Sequence, residues 1–166
     1  MPVTDVQHDL DNLTLTITAD FAAPVQRIWQ VYADPRQLEK VWGPPTYPAT
    51  VVEHDLRAGG TVHYYMTGPE GDTPHGGWNV LEVEAPRRLS VQDYFADDSG
   101  TPLEGMPSTS MVVGIADRVG GGVLVTITST FPSRDALEQM LAMGMEEGLR
   151  EAMAQIDAIL AEASAA

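Results

Sequence analysis

Proton transfer is the one chemistry for which this sequence supplies plausible groups. Glu53, Asp55, Glu82 and Glu84 fall in strand-like segments, where two carboxyls on one inward face can act as acid and base. Asp55 and Arg57 flank a turn and read as a structural ion pair. Glu82 is the more interesting carboxylate. Strand parity sets it beside Trp78 and Val80 on an inward face, where burial raises a carboxyl pKa and suits proton transfer. Tyr64 and His63 complete the candidate set, although with Val62, Tyr64 and Met66 inward, His63 and Tyr65 share the outer face. The other chemistries find no support. His8, His54, His63 and His75 lack helical i, i+4 pairing and any HExxH pattern, so no metal site is expected. No serine sits in a GxSxG context. Gly120-Gly121-Gly122 runs into Val123-Leu124, which makes it a hairpin turn and not a phosphate loop. Cysteine is absent, which removes thiol chemistry and disulfides, and no cofactor is implied.

Binding has a broader base. Trp42, Tyr47, Tyr64, Met66 and Trp78 supply aromatic and thioether surface in the first half of the chain. Tyr94, Met111, Met140, Met143 and Met145 add more in the second half. Such residues commonly form core, but gathered on inner faces they also make an adaptable apolar pocket. Tyrosine hydroxyls there can orient a polar ligand group.

Composition narrows the partners. The chain has 166 residues, 43% of them apolar, and a net charge of −15 with Lys40 as its one lysine. That length fits one domain over residues 1–166, able to bury roughly 70% of its unfolded surface. The acidic surface repels phosphate backbones and anionic lipid heads, which argues against nucleic acid and membranes. No apolar run approaches the ~20 residues of a membrane helix. No secretory leader is visible in MPVTDVQHDLDN, and a cytoplasmic location is expected.

These side chains need elements to position them. Leu13 to Thr18 alternates apolar and polar, with Leu13, Leu15 and Ile17 facing inward. Pro24 and then Asp34-Pro35 open two short helices, the second running to Trp42 before Gly43-Pro44-Pro45 ends it. Six further strands are expected at Thr50–Leu56, Thr61–Thr67, Gly77–Glu84, Leu89–Phe95, Ser110–Arg118 and Val123–Phe131. A single helix is expected from Ser133, its N-cap, to about Ala163, spanning about 45 Å. Gly144 and Gly148 each cost up to ~1 kcal/mol inside such a helix. Close approach to the sheet or a bend for packing is the favoured explanation; a bend leaving ligand space, with Gly144 in its wall, is the alternative.

Phe21, Ala23, Pro24, Arg27, Trp29, Asp34-Pro35, Leu38 and Trp42-Gly43-Pro44 together form a pattern that resembles the SRPBCC (START/Bet v 1-like) superfamily. The branch it is similar to is that of the C-terminal domain of the activator of Hsp90 ATPase. The likeness continues through Asp55 to Gly60, Met66 with Pro69 and Gly71, Glu82-Val83 with Pro86, Arg88-Leu89, Gly121-Gly122 and Phe131, then Gly144-Met145 and Gly148. It covers about residues 13–162. The resemblance implies an α+β helix-grip fold: a curved antiparallel sheet of six to seven strands wrapped on a long C-terminal helix, with a cavity between. It implies an apolar or aromatic small molecule as partner, bound without catalysis. A cyclase- or hydrolase-type enzyme using Glu82, Tyr64 or His63 is the second reading, and a protein-interaction module is the third. Two departures matter. Trp78 stands where the family commonly has a small residue, which narrows the cavity. No segment corresponds to the N-terminal half of the Hsp90 activator, so Hsp90 itself is not expected as a partner. A homodimer is left open.

Overall fold

The computed structural model describes residues 3–165, with side chains described as far as residue 161. Eight strands form one antiparallel sheet: β1 (Val3–Asp9), β2 (Thr14–Phe21), β3 (Ala49–His54), β4 (Thr61–Met66), β5 (His75–Glu84), β6 (Arg88–Ala96), β7 (Thr109–Asp117) and β8 (Val123–Thr130). Their spatial order is β1-β2-β8-β7-β6-β5-β4-β3. Two helices, α1 (Val25–Ala33) and α2 (Pro35–Val41), link β2 to β3, and α3 (Arg134–Ala142) and α4 (Met145–Ala165) close the chain. This is the expected α+β helix-grip fold, with one strand more than the six to seven expected. The added strand is β1. Its apolar residues, Val3 and Val6, lie three apart, and a register shift between Val3 and Asp5 puts both against the core despite the broken alternation.

Alternation is kept elsewhere and makes the core legible. Leu15, Ile17, Ala19 and Phe21 on β2 are buried, as are Val123, Val125 and Ile127 on β8. They join Met153, Ile156 and Ile159 of α4 in one apolar cluster. Each fully buried side chain of this size contributes about 1.5–3 kcal/mol. Leu13, expected as the first inward strand residue, instead sits in the β1–β2 turn with φ 58°, where it is only partly buried.

The final helix is not continuous. Ser133 caps α3 as expected, accepting the Ala136 N–H at 3.1 Å. The run then ends at Gly144, whose φ of 89° is left-handed backbone and marks a helix C-terminus. α4 starts immediately after it. A bend at Gly144 is thus present, while close approach is not: a Cβ at Gly144 or Gly148 meets no neighbouring atom within 4 Å. At the other end of the sheet, Asp34 caps α2 through the Arg36 N–H at 2.9 Å. Gln155 of α4 donates to the carbonyls of Val41 at 3.3 Å and Gly43 at 2.6 Å. Those two bonds hold Trp42 between α4 and the sheet's β3–β5 end.

Candidate functional site

Strand pairing decides which side chains share the helix-facing surface. Tyr64 pairs with Gly76, Trp78 with both Val62 and Asp93, and Asp93 with Thr109. Tyr64, Trp78, Asp93 and Thr109 therefore converge on one side of four adjacent strands. Trp42 closes over them from the end of α2. Its ring meets Trp78 edge-on at 4.8 Å between centroids and Tyr64 at 6.2 Å, the arrangement aromatic quadrupoles favour. Gly76 makes room for this packing: a Cβ there would lie 2.6 Å from the Tyr64 hydroxyl oxygen.

The chemistry centres on Tyr64 and Asp93. Tyr64 is buried, and its hydroxyl donates to Asp93 Oδ1 at 3.0 Å. Desolvation pushes the Asp93 carboxyl up to about 7, against the downward pull of the Tyr64 hydroxyl and the Tyr94 backbone N–H. Burial, and then the Asp93 charge, hold the Tyr64 hydroxyl well above its ordinary value. No cation acts on Asp93 among the described residues. On the neighbouring strand, the Nε1–H of fully buried Trp78 has no partner, and neither has the Ser129 hydroxyl further along the same face. Tyr64, Asp93, Phe95, Pro107, Thr109 and Met140 line a cleft of about 40 Å³, bordered also by Tyr94. Met140, on α3, forms its roof.

Larger hollows among the described residues include open surface grooves. One of about 480 Å³ lies between α2, β3 and α4, lined by Arg36, Glu39, Lys40, Thr50 and Gln155 among others. None of its polar groups is buried. The cleft over Asp93 is the smaller feature but the one with convergent, desolvated polar atoms.

The sequence-derived candidates divide accordingly. Tyr64, Met140, Trp42 and Trp78 gather at the cleft or its aromatic wall, with Met66 and Met111 packed into the same core face. Glu82 does not. A register shift between Val80 and Glu82 turns it outward, where its side chain is 51% exposed and 3.8 Å from Arg88. His63 lies on the outer face, its Nε2 2.9 Å from His75 Nδ1 and its ring against Gly100. Tyr94 belongs to that outer face, stacked over Gly77 and touching the cleft only at its border. Tyr47 packs against the Gly68–Asp72 loop, where Asp72 raises its hydroxyl pKa. Met143 is 56% exposed, and Gly144 is a helix terminus at the surface, so neither lines the cleft. The expected Asp55–Arg57 ion pair forms at 3.0 Å.

Asp93, Phe95, Pro107 and Thr109 were not among the candidates. Asp93 had a readable signal: Leu89, Val91, Asp93 and Phe95 share one parity, and a carboxylate breaks an otherwise apolar face. No group of three or more His, Cys, Asp or Glu suited to a metal ion occurs among the described residues. No described helix is long and apolar enough to cross a membrane.

Comparison with known proteins places this geometry in context. The family model described as activator of Hsp90 ATPase homolog 1-like protein matches residues 22–161. Protein Ms6760 from Mycobacterium smegmatis, a crystal structure, is 55% identical over 96% of this chain and 97% of that one, with a TM-score of 0.88. A protein from Arthrobacter aurescens, solved by solution NMR, is 44% identical over 96% and 92% of the two chains, with a TM-score of 0.91. Another from Staphylococcus epidermidis is 26% identical over 96% and 94%, with a TM-score of 0.83. No curated protein matches.

Proposed function

Since the chain belongs to the activator of Hsp90 ATPase homolog 1-like family, within the SRPBCC superfamily, we propose that it binds an apolar or aromatic small molecule between the sheet and α3–α4. One observation carries this reading. A desolvated tyrosine–carboxylate pair opens into an apolar cleft, and on the adjacent strand Trp78, paired with Asp93, carries a buried indole N–H without a partner. Polar atoms left in such a place cost stability unless a partner completes them, and a few convergent polar groups in an apolar wall are how ligand sites fix orientation.

The cleft's 40 Å³ is about the space of one water, against the roughly 300 Å³ or more of common ligand pockets. A ligand of ten heavy atoms enters only as Met140 moves aside. α3 suits that movement: it is a separate nine-residue helix between the Ser133 cap and the Gly144 elbow, with only Ala136 and Leu137 buried.

The test is a ¹H–¹⁵N NMR titration with 1-naphthol, combined with native mass spectrometry for a co-purified molecule. Saturable shifts at the Trp78 indole N–H and at residues 137–144 are expected. Shifts confined to the α2–β3–α4 groove, or none, refute the reading. A second reading, proton transfer by Asp93 with Tyr64, is favoured by the carboxyl lying near 7, where an acid–base group is most effective.

A further inference from the structure

The cleft also discriminates among head groups, on the premise that it is a ligand site. A carboxylate set against apolar walls needs a proton or a positive partner. Asp93 has the Tyr64 hydroxyl at 3.0 Å, but no lysine, arginine or histidine acts on it among the described residues. Nor does any cationic side chain line the cleft, so an anionic head group finds no counter-charge there. With Met140 in place, the cleft's volume of about 40 Å³ holds a group the size of water or ammonium. Phe95, Pro107 and Met140 give the cleft an apolar rim against which a hydrocarbon or aromatic body can lie. The whole-protein charge of −15 concentrates cations at the surface and repels anions.

We infer that the cleft takes a protonated primary amine carried on an apolar or aromatic body, with the ammonium group seated against Asp93 and the body along Phe95, Pro107 and Met140. The ammonium donates to the carboxylate that the fold leaves without a cation, and Thr109 stands beside it on β7. Recognition thus lies in one buried ion pair, and the rest of the ligand contributes apolar area.

Three matched probes separate this inference from the binding reading beneath it: 2-phenylethylamine, 2-phenylethanol and 3-phenylpropanoate, titrated by calorimetry and by NMR at the Trp78 indole. The amine is expected to bind about 10- to 100-fold more tightly than the alcohol, the worth of one charge-assisted hydrogen bond. The acid is expected to bind weakest. In Asp93→Asn the amine's advantage over the alcohol disappears, while general attraction to the acidic surface is nearly unchanged. Amine affinity in the wild type rises between pH 6 and 8 as Asp93 loses its proton. The titratable group facing Asp93 is Tyr64 from β4, uncharged throughout that range, and Tyr94 of its own strand gives it only a backbone N–H; β5, β7 and α3 present Trp78, Thr109 and Met140. Equal binding of alcohol and amine overturns the inference and leaves the site reading standing. Failure of all three probes to shift the indole overturns both. If Asp93→Asn does not fold, the wild-type pH profile decides: a flat profile refutes the inference.

Discussion

Replacing Asp93 by Asn should stabilise the protein at pH 8 and leave it nearly unchanged at pH 3. The Asn amide keeps the side-chain shape and an oxygen to accept the Tyr64 hydroxyl, so the substitution removes mainly a charge. In the folded protein the carboxyl titrates at about 7 against an ordinary 3.8. A raised folded pKa means that stability is fully present below the unfolded value, declines from there up to about pH 7 and stays lost above it. At 1.36 kcal/mol per pH unit, the rise amounts to about 4 kcal/mol. Asp93 is only half-buried, and solvent sharing brings the expected gain down to about 1–2 kcal/mol. Thermal unfolding of both proteins from pH 3 to 8 measures the difference, about 2–4 °C per kcal/mol at this chain length. The two melting curves should coincide near pH 3, part from about pH 4 and reach a constant gap above pH 7, with the variant higher. A variant less stable than the wild type at pH 8 would show that the fold satisfies this carboxylate, and the argument for a site would fall.

Other substitutions probe the surrounding frame. Gly76→Ala puts a Cβ 2.6–3.0 Å from three atoms of the buried Tyr64 ring; urea denaturation should show a loss of about 1–3 kcal/mol and NMR a displaced Tyr64 signal. Gly144→Ala and Gly148→Ala should shift the melting temperature in opposite directions. The first forces alanine to φ 89° at a cost of about 1–2 kcal/mol, and the second gains up to about 1 kcal/mol in an open helical position. Trp78→Ala empties a fully buried site beneath Trp42; it should cost about 3–5 kcal/mol and enlarge the cleft enough for 1-naphthol to bind more tightly, which calorimetry reads directly.

Local pattern was enough to reach most of the architecture. Alternation at Leu15 and Ile17, and again from Val123 to Ile127, sets which face is buried, because a strand's side chains have a period of two. Asp34-Pro35 and Ser133 announce helix starts through chemistry contained in a few adjacent residues. Those signals fail where geometry departs from its regular period. The shift between Val80 and Glu82 reversed the side on which Glu82 emerges, and the one between Val3 and Asp5 hid β1. Gly144 reads as a packing or bending glycine inside one helix, and only its φ of 89° shows a terminus there.

Charge balance, the absence of thiol chemistry and the order of strands and helices were determined by the residues alone, since each depends on composition or near-neighbour spacing. The cleft was decided by tertiary structure. Tyr64 and Asp93 lie 29 positions apart, and Met140 comes from a helix beyond the sheet. Whether Asp93 is desolvated, and whether any cation reaches it, follows from registers across four strands and from a helix break, and neither is encoded in any one segment's pattern.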